Sequence, residues 1–321
     1  MDQSLMPLPW QQERWLEVTA LVLQGRLPHA LLLTGSRGTG KRHFARALAA
    51  FILCEARSGY ACGRCRSCEQ WLAGSHPNFS VLKLEIDEKT GKLRRDISIE
   101  QVRTLIERLV LTSHYGQQKI ALVDPADVLS RGAASALLKT IEEPPPGTQM
   151  MLLAERPAEL LATLRSRCQK LRFGLPPAEQ AQAWLAGRHP ADAADALVAA
   201  RGAPLLALEW IETQALQRHR DWREAVQAVA QGKRDPLGAA AAVAKEDAGP
   251  FIEWWIGWLT DRLRDSVRGA GQLPAAGLHA LLGEALEGRR HLGQNANPQL
   301  LLESLLILLW RVGREPARAA R

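Results

Sequence analysis

The segment GSRGTGKR at residues 35–42 constrains this chain most, because it has the form of a phosphate-binding loop. In such loops, glycines let backbone N–H groups converge on phosphate oxygens, and a lysine reaches the β- and γ-phosphates. The positions that this geometry needs are present: Gly35, Gly38, Gly40 and Lys41. A serine or threonine normally follows the lysine and binds Mg²⁺ through its hydroxyl, but here the residue is Arg42. The loop is therefore predicted to keep its shape and to lose its metal ligand.

The flanking sequence fits a loop of this kind. Residues 30–34 form a short apolar run typical of a buried strand, and apolar residues then recur at helical spacing, at Phe44, Leu48, Phe51 and Ile52. The loop would thus lie at the N-terminus of a helix, which favours anions. Two interpretations stay open: the loop binds ATP or ADP without hydrolysis, or it is a glycine turn that binds no nucleotide.

A second acidic site is expected in any chain that hydrolyses ATP, and residues 119–124 have its form. An apolar strand ends at Asp124, whose carboxylate would help to hold Mg²⁺. The following position, where a second acid usually orients the attacking water, is Pro125. Asp127 lies too far along the turn to be assumed as a substitute. The phosphate loop and Asp124 together predict a degenerate nucleotide site without ATP hydrolysis.

Four of the five cysteines are close in sequence, with the spacing C-x7-C-x2-C-x2-C: Cys54, Cys62, Cys65 and Cys68. Four thiolates at this spacing can bind Zn²⁺ tetrahedrally and give shape to a loop that has no core of its own. A disulfide pair and unlinked thiols are the alternatives, and a reducing compartment disfavours the disulfide. Because sulfur would fill all four coordination positions, the predicted zinc is structural.

The composition predicts a cytoplasmic protein of two or three domains. The 321 residues are 46% hydrophobic, which suffices for full cores. Lysine and arginine outnumber the acids by 41 to 34, and the resulting net charge of +7 permits contact with nucleic acid but is also typical of a solvated surface. Residues 1–7 show no signal-peptide pattern, and the longest apolar stretch, residues 300–310, is too short to span a bilayer. No membrane association is expected.

The order of apolar segments predicts an α/β P-loop core with a parallel sheet, followed by helical domains. Strand and helix patterns alternate to about residue 174, with a capping box at residues 98–101 and a further buried strand at residues 150–154. Beyond that point the sequence is rich in alanine and leucine. We predict a core at 1–174 with a zinc module at 54–68, a small helical lid at 175–210 and an all-α domain at 211–321.

Tryptophans concentrate in the C-terminal part, at Trp210, Trp222, Trp254, Trp255, Trp258 and Trp310. Trp254 and Trp258 lie four residues apart and share one face of a helix, with Trp255 beside them. Large rings in this arrangement form either the core of a domain or an interface between subunits. The core is the default expectation, because aromatic stripes usually pack internally.

Four segments form a specific combination: PHALLLTG at 28–35, the cysteine module, ALLKTIEEPP at 136–145 and LRSRCQ at 164–169. Together they resemble the clamp-loader subunits of bacterial DNA polymerase III, which are AAA+ proteins. The resemblance covers the first 174 residues motif by motif, and the remainder only by helical composition and length. It implies an AAA+ core, a lid domain and a C-terminal collar domain that joins the subunits.

Within that family, the gamma and tau subunits hydrolyse ATP, whereas another subunit has a degraded phosphate loop and retains the arginine of the SRC triplet. This sequence is similar to the second kind, because Arg42 and Pro125 spoil its own site while the triplet at 166–168 is intact. The resemblance implies that Arg167 acts in trans as an arginine finger on the ATP of a neighbouring subunit. The chain would then be no enzyme by itself but a part of the DNA polymerase holoenzyme.

The resemblance also implies partners, namely the gamma or tau and delta subunits, the sliding clamp, and primed DNA contacted through its phosphates. Three alternatives stay open. In the first, Arg165, Arg167 and Arg172 form an ordinary basic edge. In the second, the chain is an active clamp-loader ATPase in which Thr39 or a water replaces the missing hydroxyl. In the third, it is a zinc-module nucleic-acid-binding protein with a decayed nucleotidase core.

Overall fold

The structure, a computed structural model, describes residues 5–87, 91, 93–110, 118–246, 248–269, 273–293 and 296–314. It divides into two compact units, Met1–Ile211 and Glu212–Arg321. The further division of the first unit into a core at 1–174 and a lid at 175–210 stays a prediction.

The first unit alternates strands and helices along the chain. Its strands are β1 (Ala30–Thr34), β2 (Phe79–Leu82), β3 (Lys119–Val123), β4 (Thr148–Ala154) and β5 (Gln169–Arg172). Its helices are α1 (Gln12–Leu23), α2 (Lys41–Leu53), α3 (Arg66–Leu72), α4 (Ile99–Val110), α5 (Arg131–Glu142), α6 (Ala162–Arg167), α7 (Ala178–Ala186), α8 (Ala193–Ala199) and α9 (Pro204–Glu212). The strands expected at residues 30–34, 120–123 and 150–154 are confirmed.

All five strands belong to one parallel sheet, in the order β2-β3-β4-β1-β5. This order brings the carboxyl ends of β3, β4 and β1 side by side. The loops that leave these ends carry Asp124, Glu155 and Gly35, so the three residues lie at the same edge of the sheet. Open parallel sheets bind their ligands at that edge. The predicted α/β core with a parallel sheet is confirmed.

Helices cover both faces of the sheet, as the continuous apolar sequence of β1 requires. Leu31 and Leu33 belong to a buried cluster with residues of α1 and α2, whereas Ala30 and Leu32 belong to a second cluster with residues of α4 and α5. Alternate side chains of the strand therefore enter opposite cores. The helix that follows the phosphate loop is thereby fixed against the sheet.

The predicted capping box begins α4 as expected. The backbone N–H of Ser98 donates to Oε1 of Gln101 at 3.0 Å, and the backbone N–H of Gln101 donates to Oγ of Ser98 at 3.3 Å. These two bonds satisfy N–H groups that have no partner within the helix.

The second unit is helical throughout its described residues. It contains α10 (Ala215–Ala230), α11 (Pro236–Glu246), α12 (Ala248–Val267), α13 (Ala275–Gly293) and α14 (Pro298–Arg314). Trp222 and Trp255 are buried in its core, so the core expectation is confirmed for these two rings. Trp254, Trp258 and Trp310 are half-buried and pack against the same core.

The helical C-terminal half that the sequence predicts is confirmed for the described residues, which contain no strand after β5. None of the described helices combines the length and the apolar character needed to cross a bilayer.

Candidate functional site

The phosphate loop connects β1 to α2 at the carboxyl edge of the sheet. Gly38 and Gly40 both have positive φ angles, of 79° and 95°, which glycine adopts without strain. A Cβ on Gly38 would lie 2.6 Å from the backbone nitrogen of Leu206, and one on Gly40 would lie 2.5 Å from Nε2 of Gln11. The glycines are therefore needed both for the turn and for close packing around it.

Lys41 is buried beneath this loop, with 6% of its surface exposed. Its Nζ donates to the carbonyl oxygen of Gly35 at 2.7 Å and to that of Ser36 at 2.8 Å. Burial lowers the pKa of Lys41, although the nearby carboxylates of Glu155 and Asp124 act in the opposite direction. The lysine thus has the position expected of a phosphate-binding residue and contacts the carbonyl oxygens of its own loop.

Arg42 is paired with Asp124 across the site. Nη2 of Arg42 donates to Oδ1 of Asp124 at 3.1 Å, and Nε donates to Oδ2 in a short second bond. This two-bond arrangement is the strongest geometry available to an arginine and a carboxylate. The hydrogen bond to Asp124 is also the main cause that raises the pKa of Arg42. A guanidinium therefore bonds to the carboxylate that the sequence analysis predicted as a Mg²⁺ ligand.

Thr39 and Asp127, two other polar residues near the loop, also form hydrogen bonds. The hydroxyl of Thr39 donates to the carbonyl oxygen of Ser36 at 2.9 Å, so it is directed into the loop itself. Oδ2 of Asp127 accepts the backbone N–H of Arg156 at 2.9 Å, and the aspartate is buried. Asp127 therefore fixes the segment after β4.

Glu155 is a further acidic residue at this edge, and sequence reasoning missed it. It directly follows β4, and loss of solvation in the cleft raises its pKa, while Lys41 and Arg37 oppose the shift. The signal that could have revealed it is the position immediately after a central parallel strand, where site residues concentrate.

Helix α9 lies directly against the phosphate loop. The backbone N–H of Leu205 donates to the carbonyl oxygen of Gly38 at 3.2 Å. Nη2 of Arg37 also donates to Oε1 of Glu209 at 2.6 Å. These contacts tie the loop to the helical segment that was predicted as a lid.

Arg167 is the last residue of α6, and its side chain is 42% exposed. Its Nη1 donates to the carbonyl oxygen of Thr163 at 3.1 Å, and its Nε lies 2.5 Å from Oε1 of Glu142. Leu164 and Cys168, on either side of the SRC arginine, are buried and anchor the segment, and burial raises the pKa of the Cys168 thiol to about 11. The arginine therefore presents a charged group on a fixed backbone.

The four clustered cysteines come together as the spacing predicts. Their Sγ atoms all lie within 4.8 Å of one another, and none of the four forms a disulfide. The Sγ atoms of Cys62 and Cys68 are 3.9 Å apart, close to the ~3.8 Å between sulfurs that tetrahedral Zn–S bonds of ~2.3 Å require. These distances are compatible with a tetrahedral zinc site.

Backbone N–H groups support the thiolate form of this cluster. The backbone N–H of Cys62 donates to Sγ of Cys54 at 3.3 Å, and that of Cys65 donates to Sγ of Cys62 at 3.3 Å. The backbone N–H groups of Arg64 and Cys65 lower the pKa of the Cys62 thiol to about 6, whereas burial raises the pKa of Cys68. The donor set therefore fits a structural Zn²⁺ ion, which binds thiolates.

Comparison with known proteins identifies the family. A family model described as DNA polymerase III, delta subunit matches residues 10–176. DNA polymerase III subunit delta' of Pseudomonas aeruginosa is 31% identical over 326 residues, which cover 93% of this chain and 96% of that protein. The chain belongs to the delta' family of DNA polymerase III subunits. The resemblance to DNA polymerase III clamp-loader subunits that the sequence motifs indicated is confirmed.

Two further comparisons concern the sequence and the fold of this delta' family member. DNA polymerase III subunit tau of Escherichia coli is 35% identical over 152 residues, which cover 47% of this chain and 22% of tau. A crystal structure of a DNA polymerase III gamma subunit-related protein from Thermotoga maritima has a TM-score of 0.54 and 15% identity, and the match covers 94% of this chain and 99% of that chain. The fold of this delta' family member is thus shared with a gamma-related protein.

Most predicted site residues of this delta' family member lie where the motifs indicated. The structure brings Gly35, Gly38, Gly40, Lys41 and Asp124 together at one edge of the sheet, and it brings the four cysteines into one cluster. The roles assigned to these residues and to Arg167 stay predictions. No motif indicated the Arg42–Asp124 pair or the contact between Arg167 and Glu142.

Proposed function

We propose that this chain is a non-hydrolysing subunit of the DNA polymerase III clamp loader and that Arg167 serves as an arginine finger for the ATP site of a neighbouring subunit. One observation carries the proposal: the guanidinium of Arg42 is bonded to Asp124, the carboxylate that would otherwise help to hold Mg²⁺. A chain in which an arginine occupies this carboxylate contributes to ATP hydrolysis only by acting on the nucleotide of another subunit.

The chemistry of phosphoryl transfer explains why the Arg42–Asp124 pair stops hydrolysis. Mg²⁺ bridges the β- and γ-phosphates and neutralises charge that develops in the transition state, and a further residue orients the attacking water. Here Asp124 is bound to a guanidinium, Pro125 stands where the orienting acid would be, and Asp127 is bonded to the backbone of Arg156. The hydroxyl of Thr39 is bonded to its own loop, which argues against the alternative of an active ATPase.

Arg167 has the properties that a finger requires. Its guanidinium is planar and permanently charged, and its side chain is 42% exposed on a segment anchored by buried neighbours. A finger of this kind increases the rate of phosphoryl transfer by about 10³–10⁵ at the site that it serves. Membership of the delta' family supports the assignment, because such a subunit works beside others.

The test is the DNA-stimulated ATPase of the reconstituted clamp loader. Replacement of Arg167 with alanine should leave folding and assembly unchanged and lower ATP turnover. Arg172→Ala is the matched control, because Arg172 is another exposed arginine of the same unit. Unchanged turnover in a fully assembled Arg167→Ala complex, or an equal loss in both variants, would contradict the finger and favour an ordinary basic edge.

The cysteine cluster is proposed to hold one structural Zn²⁺ ion. Cys54 is the C-cap residue of α2, Cys65 is the N-cap residue of α3, and Cys68 lies within α3. An ion bound by all four thiolates would therefore link the ends of these two helices. Zinc would supply a cross-link and charge neutralisation, with no open coordination position for catalysis.

The remaining assignments follow from the clamp-loader role. The unit Glu212–Arg321 is proposed to join the collar of the complex, and residues 175–210 to act as the lid. The expected partners are the gamma or tau and delta subunits, together with the sliding clamp. Primed DNA would be contacted through its phosphates only, within the assembled complex in the bacterial cytoplasm.

A further inference from the structure

The side chain of Arg167 is held by two groups of its own chain. Its Nη1 donates to the carbonyl oxygen of Thr163 at 3.1 Å, within α6. Its Nε lies 2.5 Å from Oε1 of Glu142, the last residue of α5. The two contacts come from different helices and meet the guanidinium at different nitrogens. Neither of them uses Nη2.

The position of Glu142 is unfavourable for the helix that carries it. The C-terminus of a helix has a partial negative charge, so a carboxylate in the last turn is repelled by it. The guanidinium of Arg167, at the end of α6, offsets this charge. The contact with Arg167 therefore gives the carboxylate a stabilising partner.

A long arginine side chain loses rotational freedom when it reaches across a subunit interface. Contacts that already restrict the side chain reduce this loss of rotational freedom. Correct orientation of a reacting group also accelerates a reaction, without adding any interaction to the transition state. Because Nε and Nη1 are engaged, the guanidinium is oriented with Nη2 as the nitrogen available to a phosphate.

We infer that Glu142 is a positioning residue that orients Arg167 for the phosphates of a neighbouring subunit. The inference rests on the proposed function of Arg167. Both side chains are 42% exposed, so the pair is of the weak, solvent-accessible kind. A pair of this strength holds the guanidinium and still lets it adjust when the neighbouring ATP site forms.

The experiment compares Glu142→Ala and Glu142→Gln in the reconstituted clamp loader, with kcat and KM for ATP measured in the presence of primed DNA. Glu143→Gln is the matched control, because Glu143 is the adjacent exposed glutamate and forms no ion pair with any described residue. We expect kcat to fall about twofold to fivefold in Glu142→Ala, the range typical of an exposed ion pair. Glu142→Gln, which keeps an oxygen acceptor, should fall less, and KM should not change.

Two further measurements separate positioning from a general structural role. In an Arg167→Ala background, Glu142→Ala should cause no additional loss, because the residue acts only through the arginine. The ratio of wild-type to Glu142→Ala kcat should also shrink as salt rises from about 0.05 to 0.5 M, since salt screens exposed charges. Gel filtration checks that every variant assembles.

The outcomes distinguish this inference from the function on which it rests. If Arg167→Ala lowers turnover but Glu142→Ala leaves kcat unchanged or raises it, the positioning role is wrong and the finger stands. The same conclusion holds if Glu142→Ala lowers kcat equally in the Arg167→Ala background. If Arg167→Ala itself has no effect, the finger is wrong and the positioning role is rejected with it.

Discussion

Replacement of Arg42 with threonine tests the proposal that Arg42 prevents Mg²⁺ from binding at Asp124. The substitution removes both hydrogen bonds to Asp124 and restores the hydroxyl that active phosphate loops carry. It leaves the carboxylate of Asp124 facing Lys41 across the cleft, without its nearest cation. We therefore expect the variant to be less stable than the wild type and to respond to Mg²⁺.

The expected size of the loss follows from the exposure of the two side chains. The side chain of Asp124 is 10% exposed and that of Arg42 is 67% exposed. A charge-assisted hydrogen bond contributes ~1.5–3 kcal/mol, whereas an exposed ion pair contributes ~0–1 kcal/mol. Since water reaches the arginine but hardly reaches the carboxylate, an intermediate loss of about 1–2 kcal/mol is expected. In a unit of this size, that corresponds to a fall in Tm of ~2–8 °C.

Thermal unfolding is measured for wild type and Arg42→Thr with ADP, with or without Mg²⁺, at constant ionic strength. Mg²⁺ with ADP should raise the Tm of the variant more than that of the wild type, because ligand binding to the folded state stabilises it. Arg37→Thr is the control from the same loop. Arg37 pairs with Glu209, and both side chains are largely exposed, so its loss should stay below ~1 kcal/mol.

Two results would refute this reasoning about Arg42. A variant with the Tm of the wild type would mean that the pair with Asp124 contributes no stability. Steady ATP turnover by Arg42→Thr alone would mean that Pro125 does not prevent orientation of the attacking water. The single substitution is expected to produce no ATPase.

Two other predictions concern stability. Burial lowers the pKa of His219 to about 4, below the ~6.5 expected in the unfolded chain. The unfolded state therefore binds more protons than the folded state between these pH values. The contribution of His219 to the free energy of unfolding is present in full above pH ~6.5 and decreases toward pH ~4. Urea unfolding should show that the free energy of unfolding falls by about 1 kcal/mol between pH ~7.5 and ~5.5. His219→Gln should remove this pH dependence, and His279→Gln, at an exposed histidine, should keep it. The same pH dependence in all three proteins would exclude His219 as its source. For the cysteine module, metal analysis should find about one Zn²⁺ per chain. Cys168→Ser should retain the ion, whereas Cys62→Ser should lose it and have a lower Tm. Equal zinc content in both variants would contradict the assigned ligands.

Local sequence patterns predicted the elements that hold the site. The strand before the phosphate loop, the helix after it and the capping box before α4 all depend on residues within a few positions of one another. The cysteine cluster is similar, because its four cysteines lie within 15 residues and a short loop can bring them together. Such features depend on interactions between residues that are close in sequence, so the local pattern of residue types is enough to predict them.

Other elements gave weak local signals. Strand β5 has only one buried residue among its four, Leu171, and β2 likewise has only Leu82. Without an apolar run or a regular alternation, neither segment is distinguishable from a loop by pattern. Pairing with β1 and β3 makes them strands, and that pairing is a property of the assembled sheet.

The sequence alone determined that the phosphate loop has no serine or threonine after its lysine and that the SRC arginine is present. Only the tertiary structure decided what these residues contact: Arg42 meets Asp124 from 82 positions away, and Arg167 meets Glu142 from the neighbouring helix. The order of the strands brings the loop after β3 beside the one after β1. Contacts between residues that are distant in sequence arise from this packing, which no local pattern encodes. The sequence therefore identifies a residue without identifying the residue that it contacts.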